Sequence, residues 1–170
     1  MNQRRVGFAL LLVVAAVVLQ TTVFAPGRIY PWGYGPLPVI IVVIGASRYL
    51  EPETTVALGF TAGLLMDLLG GEWLGLWAGA LTTVAYVGLR LVDEADEGAL
   101  SLIVGVGALS VLAITLFVLA GTLFGRQLLS RNNVALLILV PSLYNVVIAL
   151  PTLALTKKLM KGRQTPWSAR

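Results

Sequence analysis

The chain has no cysteine and no histidine, and little charge of either sign. Without cysteine there are no disulfides and no thiol chemistry, so redox habits give no clue to the compartment. Without histidine, the common zinc sites and any Ser–His or Cys–His catalytic pair are excluded too. Charged residues make up 12% of the 170 residues and hydrophobic ones 58%, where a soluble domain carries roughly 25% charge. So much Leu, Val and Ala cannot be hidden in one small soluble core, and the chain reads as an all-α polytopic membrane protein. Its net charge of +4 suits either a nucleic-acid or anionic-lipid partner, or basic residues that set membrane topology.

Six apolar segments are expected to span, at approximately 6–24, 37–50, 54–70, 72–91, 99–124 and 134–156. The first follows Arg4 and Arg5. It is long for a signal-peptide core, and Val23-Phe24-Ala25 before Pro26 is a poor cleavage site, so it reads as a span. The stretch APGRIYPWGYGPLP, rich in Pro and Gly, forbids regular helix. Its Tyr30, Trp32 and Tyr34 suit a membrane–water interface. The second segment is short, about 21 Å as a helix against a hydrocarbon core of about 30 Å; little tilt, local bilayer thinning or a re-entrant path would accommodate it. Thr54, just after Pro52, is the expected cap of the third span, and a Gly70-Gly71 turn leads to the fourth. Pro141 and Pro151 interrupt the sixth.

Six spans leave both termini on one side. Arg4, Arg5, Arg48, Arg90, Lys157, Lys158, Lys161, Arg163 and Arg170 then share that side, against Arg28, Arg126 and Arg131 on the other. The excess of basic residues puts both ends in the cytoplasm and accounts for the net charge without a nucleic-acid partner. A five-span chain would split the two basic termini across the membrane.

Small residues recur every four positions. Gly59 and Gly63 share a face of the third span, Gly71, Gly75 and Gly79 continue the spacing into the fourth, and Gly121 and Gly125 repeat it at the end of the fifth. Such faces let helix backbones approach closely in lipid, within the bundle or with a partner. Asp67 lies in the same region, about one turn below the outer end of its span; a carboxylate costs about 2.5–3.5 kcal/mol deep in a span and less toward the ends, so a partner is expected. Arg126 and Arg131 are the candidate cations for it and Gln20 the candidate neutral donor. Asp67 is read as a structural anchor rather than a ligand, proton or partner site. Asn145, between Pro141 and Pro151, is placed to satisfy a freed carbonyl or to reach another helix.

Intramembrane catalysis has no foothold. An aspartyl protease needs a second carboxylate at depth, a rhomboid-like protease needs a base, and no phosphate-cradling G-x-x-x-x-G-K-[ST] occurs. No ring of charge suggests a channel, and no cofactor or metal is expected.

With these residues in view, GFTAGLLMDLLGGEWLGLWAGALTTVAYVG resembles the signature region of MreD, the bacterial rod shape-determining membrane protein. The residues that carry the likeness are Gly59, Gly63, Leu64, Asp67, Gly75, Leu81 and Tyr86. YNVVIALPTLAL near the end, with Tyr144, Asn145 and Pro151, and VLQTTVF in the first span, with Gln20, resemble the family as well. The resemblance implies a non-catalytic subunit of the cell-wall elongation machinery in the bacterial cytoplasmic membrane. Its partners would be MreC, cytoskeletal MreB, the glycosyltransferase RodA and a penicillin-binding transpeptidase, among membrane lipid. The family in turn resembles the six-helix substrate-binding subunits of energy-coupling-factor vitamin transporters. A small-molecule-binding subunit, fed by the aromatic loop at Tyr30, Trp32 and Tyr34, is therefore the rival expectation.

Overall fold

A computed structural model describes residues 3–24, 35–70, 73–94, 99–129 and 133–160. These form six α-helices and no strand: α1 (Gln3–Thr22), α2 (Pro38–Ser47), α3 (Pro52–Gly70), α4 (Leu76–Glu94), α5 (Ala99–Leu123) and α6 (Val134–Met160). Three are long and apolar enough to cross a membrane, over Gln3–Thr22, Ser101–Leu123 and Val134–Leu159. Large apolar side chains cover their outer faces, among them Leu11 (63% exposed), Leu143 (64%) and Val147 (74%). Such a coat of exposed Leu and Val is that of a membrane protein.

The short second segment forms the centre of the bundle. Every residue of α2 is buried, and α2 packs on α1, α3, α4, α5 and α6. A helix apolar on all sides must be enclosed, and PVIIVVIGAS has no side to show to water. Its ten residues rise only about 15 Å, so it starts inside the bundle. Leu37 lies beside Asn145, midway along α6, and Gly45 lies beside Leu153 and Thr156 further on; α2 and α6 thus run parallel. Arg48, just past α2, lies at the end of the bundle where α1 begins, so α2 runs antiparallel to α1.

Local chemistry sets the other boundaries. Pro52 itself opens α3, and the Glu51 carbonyl accepts the first helical bond, from Thr55 N at 2.9 Å. Proline is preorganised for a first helical position, where its missing N–H costs nothing. The expected cap Thr54 is therefore already inside the helix. α4 begins at Leu76 rather than near 72, because Gly75, with φ +102, turns the chain immediately before it. α6 runs as one helix through Pro141 and Pro151. After each proline the next hydroxyl folds back: Ser142 donates to Ile138 O at 2.7 Å and Thr152 to Ile148 O at 2.8 Å.

The two ends of the bundle differ in charge. Arg5, Arg48 and Glu51 line one cavity, and Glu53 and Arg90 another, which brings the start of α1, the end of α2, the start of α3 and the end of α4 to one end. The last turn of α6, with Lys157 and Lys158, belongs to the same basic end. Arg126 lies at the opposite end, past α5.

Candidate functional site

The α3–α4 hairpin contains the densest cluster of singled-out residues. Gly59, Gly63 and Asp67 are four apart and form one stripe on α3, all three buried. The stripe faces α4. A methyl group on Gly59 would lie 2.7 Å from the Leu81 carbonyl oxygen and 2.8 Å from Ala85 Cβ. At Gly63 it would fall on the backbone of Trp77 and Ala78. Only glycine permits this approach, and the contact is internal.

One turn on, Asp67 closes the hairpin. Its Oδ2 accepts hydrogen bonds from the backbone N–H of Gly75 at 2.8 Å and of Ala78 at 3.2 Å, and its Oδ1 from Trp77 N–H at 3.0 Å. These donors belong to the first turn of α4, where a helix has no internal acceptor for them. Leu76 N–H reaches Trp73 O at 3.4 Å. The carboxylate thus does from a neighbouring helix what a local Ser or Asp does at an ordinary N-cap. The helix N-terminus is also the end that favours an anion. The expected partners are corrected accordingly: the donors are α4 amides, not Gln20 or Arg126, and Arg131 lies outside the described residues. With both oxygens engaged, Asp67 at 1% exposure is not presented to a substrate.

Aromatic pairs tie this end of the hairpin to α5. Trp77 stacks on Phe117 with centroids 4.4 Å apart and planes at 21°, and Trp73 meets Phe124 at 6.3 Å. Gln20 of α1 approaches from the other side, its Nε2 3.6 Å from Met66 Sδ. Its Oε1 is buried and has no partner among the described residues.

The remaining glycines separate into different roles. Gly71 lies outside the described residues. Gly75 and Gly79 have open space where a Cβ would be, so neither packs a helix within the chain. Gly75 is a turn residue, and its carbonyl accepts from Gly79 N at 2.9 Å to start α4. Gly121 is closed by Leu128 of its own following loop, whose Cδ1 lies 2.8 Å from where a Cβ would be, rather than by another helix. Gly125, with φ +88, ends α5: Gly125 N bonds Thr122 O at 3.0 Å and Arg126 N bonds Gly121 O at 2.9 Å. That pair of bonds around a left-handed glycine is a Schellman cap, so the Gly121–Gly125 spacing reflects helix termination.

Asn145 forms a second polar knot at the bundle centre. Fully buried, it donates from Nδ2 to Ser110 Oγ of α5 at 2.9 Å and accepts at Oδ1 from Leu37 N–H at 2.7 Å. It therefore reaches across to other helices and caps the start of α2 inside the bundle, where no water serves. Sequence reasoning does not single out Ser110. Its one signal is a hydroxyl in an otherwise oily run, and most such hydroxyls bond back to their own helix.

No family model matches this chain, and neither a curated protein nor a solved structure matches it.

Proposed function

We propose that this chain is a non-catalytic scaffold subunit of the bacterial cell-wall elongation machinery, related to MreD. It lies in the cytoplasmic membrane and crosses it six times, with α2 part of the second crossing. The basic end, with both termini, faces the cytoplasm. The observation that carries the reading is the Gly59–Gly63–Asp67 stripe. The residues on which the resemblance rests cooperate in one internal clamp, as expected of a signature that maintains a scaffold rather than a reaction centre.

Because that clamp consumes Gly59 and Gly63, the docking face for the transmembrane helix of MreC is assigned to the outer side of α4. There Gly75, Gly79, Thr83 and Tyr86 are exposed at helical spacing. Thr83 turns its hydroxyl back to Gly79 O at 2.9 Å, which lowers the polarity of the face. A smooth, small-residue surface of this kind suits one further helix. MreB, RodA and a penicillin-binding transpeptidase would be reached through the assembled complex.

The test is co-purification in mild detergent from bacterial membranes. MreC accompanies the wild-type chain and is depleted from Gly79→Leu at equal membrane level. Failure of the wild type to retain MreC would refute the assignment. The vitamin-binding reading draws on the unpartnered Gln20 oxygen. A stoichiometric small molecule, with an ATPase pair as co-purifying partner, would replace the scaffold reading with that one.

A further inference from the structure

At the basic end a groove of about 240 Å³ opens between α4 and α5, with α2 as its floor. Its polarity is graded. Arg48 just past α2 and Ser101 in the first turn of α5 lie at the basic end, and Ile44, Gly105 and Leu109 lie one to two turns further along their helices. Among the described residues, no carboxylate lines it. The Arg48 side chain is half-buried, yet it makes no hydrogen bond or ion pair with the described residues. A guanidinium that lines an apolar groove, with its donors unused among the described residues, is matched by an anion attached to an apolar chain.

The geometry points to a bound anionic phospholipid whose phosphate meets Arg48 and Ser101 and whose acyl chain lies along Gly105 toward Leu109. Charge complementarity selects the headgroup, and the depth gradient selects a lipid over a free anion. The surroundings of Gly105 support this. A Cβ there meets nothing within 4 Å, so the groove is open at that point and a longer side chain can fill it without collision. The inference rests on the membrane setting and not on the elongation reading.

The experiment is native mass spectrometry of the full chain, purified in mild detergent and exposed to phosphatidylglycerol or phosphatidylethanolamine. The wild type retains phosphatidylglycerol in preference. Arg48→Gln lowers that retention about five-fold, the loss of one basic contact at a charged surface. Gly105→Leu lowers it as well, while Lys157→Gln, an exposed cation of the same end, leaves it unchanged. Monodisperse elution and an unaltered unfolding midpoint establish that each variant is folded. Equal retention of both lipids, or an equal loss in Lys157→Gln and Arg48→Gln, overturns the proposal. Displacement by millimolar inorganic phosphate, or a polypeptide found in the lipid's place, overturns it too.

Discussion

Replacing Asp67 with alanine removes the acceptor of three amides at once. The amides of Trp77 and Ala78 are buried, and Gly75 N–H is partly so. A buried donor left without an acceptor costs about 1–3 kcal/mol, so the two buried amides alone place the loss at about 2–6 kcal/mol. An ordinary exposed N-cap loses only about 0.5–2 kcal/mol on the same truncation. The difference between those ranges is the signature of capping inside a bundle. Asp67→Asn keeps the shape but turns one acceptor into a donor. With its oxygen on Gly75 and Ala78 it leaves Trp77 unserved, and its stability falls between wild type and alanine. The assay is unfolding by sodium dodecyl sulfate in mild-detergent micelles, followed by tryptophan fluorescence. Trp77, stacked on Phe117, sits in the turn that loses its cap. If Asp67→Ala unfolds within about 0.5 kcal/mol of wild type, with the tryptophan signal unchanged, the capping argument is wrong.

The same assay checks the other contacts. Gly63→Ala drives a methyl into the α4 backbone, where no flexible side chain can yield, and costs at least about 1–3 kcal/mol. Gly79→Ala meets open space and is neutral or stabilising by up to about 1 kcal/mol. Gly125→Ala, at φ +88, loses about 1–2 kcal/mol to left-handed strain. A double-mutant cycle of Asn145→Ala and Ser110→Ala yields a coupling of about 0.6–1.7 kcal/mol, the range for hydrogen bonds between membrane helices; a coupling of zero would contradict the bond between them.

The apolar runs made the helical segments legible, because length and composition are written directly in the letters. So was the internal tension at Asp67, but not its resolution. Matching a carboxylate to cations by depth finds Arg126 and Arg131, whereas the donors are backbone amides, which no residue letter records. A clue existed: Gly75-Leu76-Trp77 opens α4 without a Ser, Thr, Asp or Asn at its cap position, so the cap had to come from elsewhere. The four-residue glycine spacing located the Gly59–Gly63 contact. It misled where the chain leaves the helix, since Gly75 and Gly125 answer to a turn and a cap and not to a face. The brevity of the second segment was legible, but not that the other helices enclose it and that Asn145 caps its start, because both depend on residues far away in the chain.

If the inner face of the α3–α4 hairpin is sealed and its outer face docks a partner helix, then position matters more than glycine content. The direct measurement is site-specific photo-crosslinking in native membranes, with a photoreactive residue at Thr83 on the outer face of α4 or at Val147 on the lipid-facing side of α6, both exposed. The account predicts an adduct with MreC from Thr83 and none from Val147. Absence of the Thr83 adduct, or equal adducts from both positions, would contradict it.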